Sequence, residues 1–92
     1  MSEGATRSVE IINKRGLHAR ASAKFVKAAS TFDAEVRVSK DGHTVDARSI
    51  MGLMMLAAGP GCSIEIEAEG AEAEAALDAL VVLVTNRFDE DE

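Results

Sequence analysis

The 92-residue sequence holds no tryptophan, no tyrosine and three phenylalanines. Its apolar volume is almost wholly Ala, Val, Ile, Leu and Met, so the core is aliphatic. Cys62 is the single cysteine, which excludes an internal disulfide where a small secreted fold would often carry several. A reducing cytoplasm is the expected compartment, and Cys62 reads as a small buried residue without a function. Positive charge is also scarce. Ten Lys and Arg stand against sixteen Asp and Glu, for a net charge of −6, which argues against a nucleic-acid partner. No apolar run reaches membrane-spanning length, and Met1 to Ser8 offer no signal-peptide stretch, so no membrane association or targeting is expected.

What remains is enough for one small core, since 47% of the residues are hydrophobic. The reading is a single domain over 1–92, its core at about 8–88, with a short polar N-terminal extension and the acidic run Asp89-Glu90-Asp91-Glu92 as a solvated tail. Ser8 to Asn13 reads as a strand ending in the turn Asn13-Lys14-Arg15-Gly16. Leu17, Ala21, Phe25, Ala28, Ala29 and Phe32 recur at helical spacing, which predicts a helix from about His18 to Thr31. Glu35 to Ser39 alternates, Asp41-Gly42 is a strong hairpin turn, and Thr44 to Ala47 continues as its partner strand.

Ser49 suits an N-cap for a helix from Ile50 to Ala57, stopped by Gly59-Pro60-Gly61. Ile64 to Glu69 alternates with its glutamates outward. A last helix from Glu72 to Val84 turns Ala73, Ala76, Leu77, Leu80 and Val84 inward, with Glu72 and Glu74 in the first turn, where the helix dipole favours them. The order β-α-β-β-α-β-α implies an α+β fold: a four-stranded sheet with three helices on one face and water on the other. These patterns alone leave the strand order open.

Lys14, Arg15, Arg20, Lys24 and Lys27 concentrate the positive charge of an acidic chain around one segment. Either an anion is handled there or the segment is a solvated face. His18 stands where the strand-end loop meets the helix, behind Gly16 and two residues before Arg20. A helix N-terminus offers unpaired N–H groups and partial positive charge, and an arginine in the first turn opposes the dipole but adds planar donors suited to phosphate. Neutral imidazole is nucleophilic near pH 7, and phosphate on its nitrogen is readily passed on. Taken alone, the motif favours the plainer reading, in which His18 simply caps the helix.

His43, one residue beyond the hairpin turn, reads as solvated. With no carboxylate at ligand spacing near either histidine, no metal or other cofactor is expected. A hydrolase using His18 as base is a poor reading, since no nucleophile is placed by motif.

Ile50 to Ala58 carries no polar side chain. With Leu53, Leu56 and Ala57 inward, Met51, Met54 or Met55 and Ile50 are left outside as an adaptable docking patch, unless the helix is buried all round. Ser49 is an N-cap, a phosphorylation target at the rim of that patch, or both.

Gly16-Leu17-His18-Ala19-Arg20, followed by Arg48-Ser49-Ile50-Met51-Gly52-Leu53-Met54-Met55-Leu56, resembles the HPr family of bacterial phosphocarriers over roughly Ser8 to Phe88. The resemblance implies an open-faced β-sandwich with antiparallel strand order 1-4-2-3. It implies that His18 is phosphorylated on its δ nitrogen by Enzyme I at the expense of phosphoenolpyruvate, with Arg20 positioning the phosphoryl group. It implies transfer onward to an Enzyme IIA-type acceptor, modification of Ser49 by HPr kinase/phosphorylase in some bacteria, and docking through Ile50, Met51, Met54 and Met55. Such a protein is a stoichiometric carrier, not an enzyme, and a monomer keeps its histidine accessible.

One departure is Ala21, where the family usually places proline. Phe32-Asp33-Ala34-Glu35-Val36 and Phe88-Asp89-Glu90-Asp91 are more similar to the nitrogen-related branch, NPr, whereas Arg48 to Gly52 is similar to serine-regulated members. A second reading, from another class, is a regulatory binding module that uses the Ile50–Met55 patch without phosphate transfer.

Overall fold

A computed structural model describes residues 4–89. The chain forms strand β1 (Gly4–Glu10), helix α1 (Ala19–Ala29), the hairpin β2 (Glu35–Lys40) and β3 (His43–Asp46), helix α2 (Ile50–Met55), strand β4 (Ser63–Glu69) and helix α3 (Ala73–Thr85). The sheet is antiparallel in the order β1-β4-β2-β3. The expected fold class and strand order are those observed. Ile64, Ile66 and Ala68 of β4 face the helices and are buried, while Glu65 and Glu67 between them face water.

Asp41 and Gly42 turn the hairpin with φ of 51° and 84°, the paired positive angles that match the twist of two-residue hairpins. Phe25 fills the centre of α1's inner face, and Ala73, Ala76, Leu77, Leu80 and Val84 of α3 are all buried as expected.

Several element boundaries differ from the sequence reading, most by one or two residues and β1 by more. Strand β1 starts at Gly4 and ends at Glu10 instead of spanning 8–13, because β4 offers a seven-residue partner from Ser63 to Glu69. Its early inward register position is held by Arg7, whose guanidinium reaches Glu74 of α3 at 2.8 Å and so looks polar in sequence. Helix α2 stops at Met55, and Ala57 is exposed with φ of 54°, so Ala58 is buried in its place.

Glu72 does not cap α3 with its side chain. Its carboxylate instead accepts the Asp33 N–H at 2.7 Å, tying the helix entry to the loop before β2. After α3, Arg87–Asp89 make a left-handed turn that buries Phe88, so Asp89 is not a frayed tail residue. Glu90, Asp91, Glu92 and Met1 to Glu3 lie outside the described residues. Cys62 is half-buried, not buried, between Ile11 and Gly59, with which its backbone bonds.

Candidate functional site

His18 caps α1. Its backbone is extended, with φ −73° and ψ −180°, and its side-chain Nδ1 accepts the backbone N–H of Arg20 at 3.2 Å. An imidazole nitrogen that accepts carries no proton, so the neutral ring holds its proton on Nε2. The Nδ1 lone pair therefore points to the end of α1, where unpaired amides and the helix dipole concentrate positive potential. Capping and the anion site are one geometry here.

The loop leading to His18 is held rigidly. Gly16 has φ of 64°, and a Cβ there would lie 2.4 Å from the Ala58 carbonyl oxygen and 2.8 Å from Gly59 Cα, so glycine alone fits. The Leu17 N–H donates to that same Ala58 oxygen at 2.9 Å. The loop after α2 thus supports the loop before α1.

Two residues that the sequence reading passed over complete the support. Asn13 is fully buried and its Nδ2 donates to the Gly16 carbonyl at 2.9 Å. Ser22 is fully buried and its Oγ donates to the Leu17 carbonyl at 3.2 Å. Asn13 looks like an ordinary turn residue in sequence. Ser22 was detectable as a polar residue beside the inward Ala21.

A shallow depression of about 340 Å³ joins this site to α2: Arg15, Leu17 and His18 line one side, and Met54 with Ala57 to Gly59 the other. Arg20 is exposed in the first turn, and its guanidinium has no carboxylate partner among the described residues. Lys24 leaves the basic cluster. Its Nζ donates to the Phe88 carbonyl at 2.7 Å, fastening the Arg87–Asp89 turn to α1. His43 is exposed on β3, and no group of three metal-ligating side chains occurs among the described residues. No described helix is long and apolar enough to cross a membrane.

Helix α2 is not buried all round. Leu53 and Leu56 seat it, while Met51 and Met55 are 70% and 79% exposed, and Ile50 and Met54 are each 40% exposed. Ser49 caps the helix by accepting the Gly52 N–H on its Oγ at 3.0 Å. Beside it, Arg48 bridges Asp46 at 3.3 Å and Glu35 at 3.4 Å. The Arg48 side-chain and backbone hydrogen bonds hold the Asp46 carboxyl below the usual range, and the same carboxylate raises the Arg48 guanidinium. The cation next to Ser49 is thus already engaged.

The family model described as "PTS HPr component phosphorylation site" matches residues 5–86. The phosphocarrier protein HPr of Cupriavidus necator is 52% identical over 86 residues, 94% of this chain and 97% of its own length. The phosphocarrier protein NPr of Shewanella violacea is 46% identical over 84 residues, 91% of this chain and 92% of its own. The crystal structure of HPr-C-His from Thermoanaerobacter tengcongensis superposes with a TM-score of 0.91 at 43% identity, covering 96% of this chain and 99% of that one.

Proposed function

Because this chain belongs to the HPr family of phosphotransferase-system phosphocarriers, we propose that His18 takes a phosphoryl group on Nδ1 from phosphorylated Enzyme I and yields it to an Enzyme IIA-type acceptor. The observation that carries this is the Nδ1 lone pair at the N-terminus of α1, 3.2 Å from the Arg20 amide. In the forward step Nδ1 attacks phosphorus, the N–P bond forms and the bond to the donor breaks. The ring proton stays on Nε2, so no base is required. The Arg20 N–H gives up Nδ1 and turns to a phosphoryl oxygen, joined by other amides of the helix end. The Arg20 guanidinium holds a second oxygen. Transfer onward reverses these moves.

The protein is a stoichiometric substrate of Enzyme I in this reading and has no turnover of its own. Docking falls to Ile50, Met51, Met54 and Met55, a flexible apolar surface suited to several partners of different shape. Phosphate on Ser49, added by a kinase of the HPr kinase/phosphorylase type, would place up to two negative charges at the rim of that surface with Arg48 already occupied. A cytoplasmic monomer keeps both features accessible. His18→Ala, mixed with phosphorylated Enzyme I, is expected to stay unlabelled; labelling at the wild-type level would sink the assignment.

A further inference from the structure

Asn13 and Ser22 are the fully buried polar side chains among the described residues, and both spend hydrogen bonds on carbonyls in the two residues before His18. A buried hydroxyl costs free energy unless it is hydrogen-bonded, and a satisfied one rigidifies the groups it joins. Ser22 fixes more than one group. Its Oγ holds the Leu17 carbonyl at 3.2 Å and its backbone N–H holds the His18 carbonyl at 2.8 Å. The peptide units on either side of the His18 Cα are therefore gripped by one residue, and the backbone angles that aim the imidazole are set between them.

We infer that Ser22 is a positioning residue for His18, using its hydroxyl to keep Nδ1 on the helix end. This rests on the carrier reading of His18. Ala21 has no ring to restrain the helix entry, and the Ser22 hydroxyl beside it fixes the peptide that leads into the cap. The bond is unlike the usual helical back-bond, because its acceptor lies five residues back, outside the helical ladder and directly before the cap. Removing the hydroxyl frees the Leu17–His18 peptide to rotate, and the imidazole rotates with it.

Ser22→Ala removes the bond without adding volume, and Ser22→Thr keeps the hydroxyl. The test compares wild type and both variants by His18 ring ¹⁵N chemical shifts in the unphosphorylated protein, by the kinetics of phosphoryl uptake from Enzyme I, and by Tm. In Ser22→Ala the two ring-nitrogen shifts should move toward each other as the Nδ1–Arg20 bond loosens. Uptake should fall about tenfold in kcat with KM little changed, and Ser22→Thr should restore both.

Ring shifts identical to wild type in Ser22→Ala would overturn the inference, as would uptake that falls only in step with a lower Tm. The ring shifts decide positioning even if the wild-type protein takes no phosphate. That last outcome would count against the carrier reading alone.

Discussion

The backbone N–H of Arg20 and the Nδ1 of His18 share a hydrogen bond of 3.2 Å. The atom proposed to accept phosphate is thus the atom that caps the helix, and phosphorylation must break the cap it replaces. An isolated cap of this kind is worth about 1 kcal/mol. His18→Ala should therefore lower stability by about that amount, whereas His18→Asn, whose side chain can still accept the Arg20 N–H, should stay within about 0.5 kcal/mol of wild type. Neither should take phosphate. Urea unfolding of the two variants checks the difference; equal stabilities would show that the cap carries no energy.

The exposed face of α2 should be separable from its seat. Met51→Glu and Met55→Glu change side chains that are mostly in water, so stability should move by no more than about 0.5 kcal/mol. Leu53→Ala empties a fully buried site and should cost about 3 kcal/mol. In transfer assays the two glutamate variants should raise KM for Enzyme I, and Ser49→Asp, which keeps a capping oxygen while adding charge, should do the same. Steady-state kinetics beside thermal melts test this, and unchanged KM in all three would remove α2 from the docking surface.

Acid should weaken the fold partly through Asp46. Its carboxyl is depressed by Arg48 in the folded chain, so the folded state binds that proton less readily than the unfolded state. The contribution is complete above the ordinary carboxylate value of about 3.9 and is lost as pH falls from there through the folded value. Asp46→Asn should flatten the decline of stability on the acid side while changing little at pH 7, because the pair is exposed and weak. Urea midpoints measured across that range are the check; identical acid slopes would remove Asp46 from the account.

Much of this architecture is written in local patterns. The alternation of Ile64 to Glu69, the Asp41-Gly42 turn, the Ser49 cap and the inward row of α3 each depend on neighbours in sequence, and each lies where expected. The larger differences come from long-range partners. Residues 4–7 of β1 show only the small Ala5 as an apolar inward residue, because the next inward position is Arg7, which reaches across to Glu74. Phe88 is buried in the core, and its carbonyl accepts from Lys24, sixty-four residues away.

The site followed the same division. The placement of Gly16, His18 and Arg20 at a helix start is legible, because it follows from local spacing. That Gly16 must lack a side chain because of Ala58, and that Ser22 grips the peptides around His18, depend on contacts no spacing reveals.

The central claim is that His18 carries phosphate. Label from phosphoenolpyruvate, passed through Enzyme I of the same organism and mapped by mass after mild acid treatment, tests it directly. The account predicts one acid-labile phosphoryl group per chain, on His18 and absent from His18→Ala. Label on His43 or an acid-stable hydroxyl, or none at all with a demonstrably active Enzyme I, would contradict it.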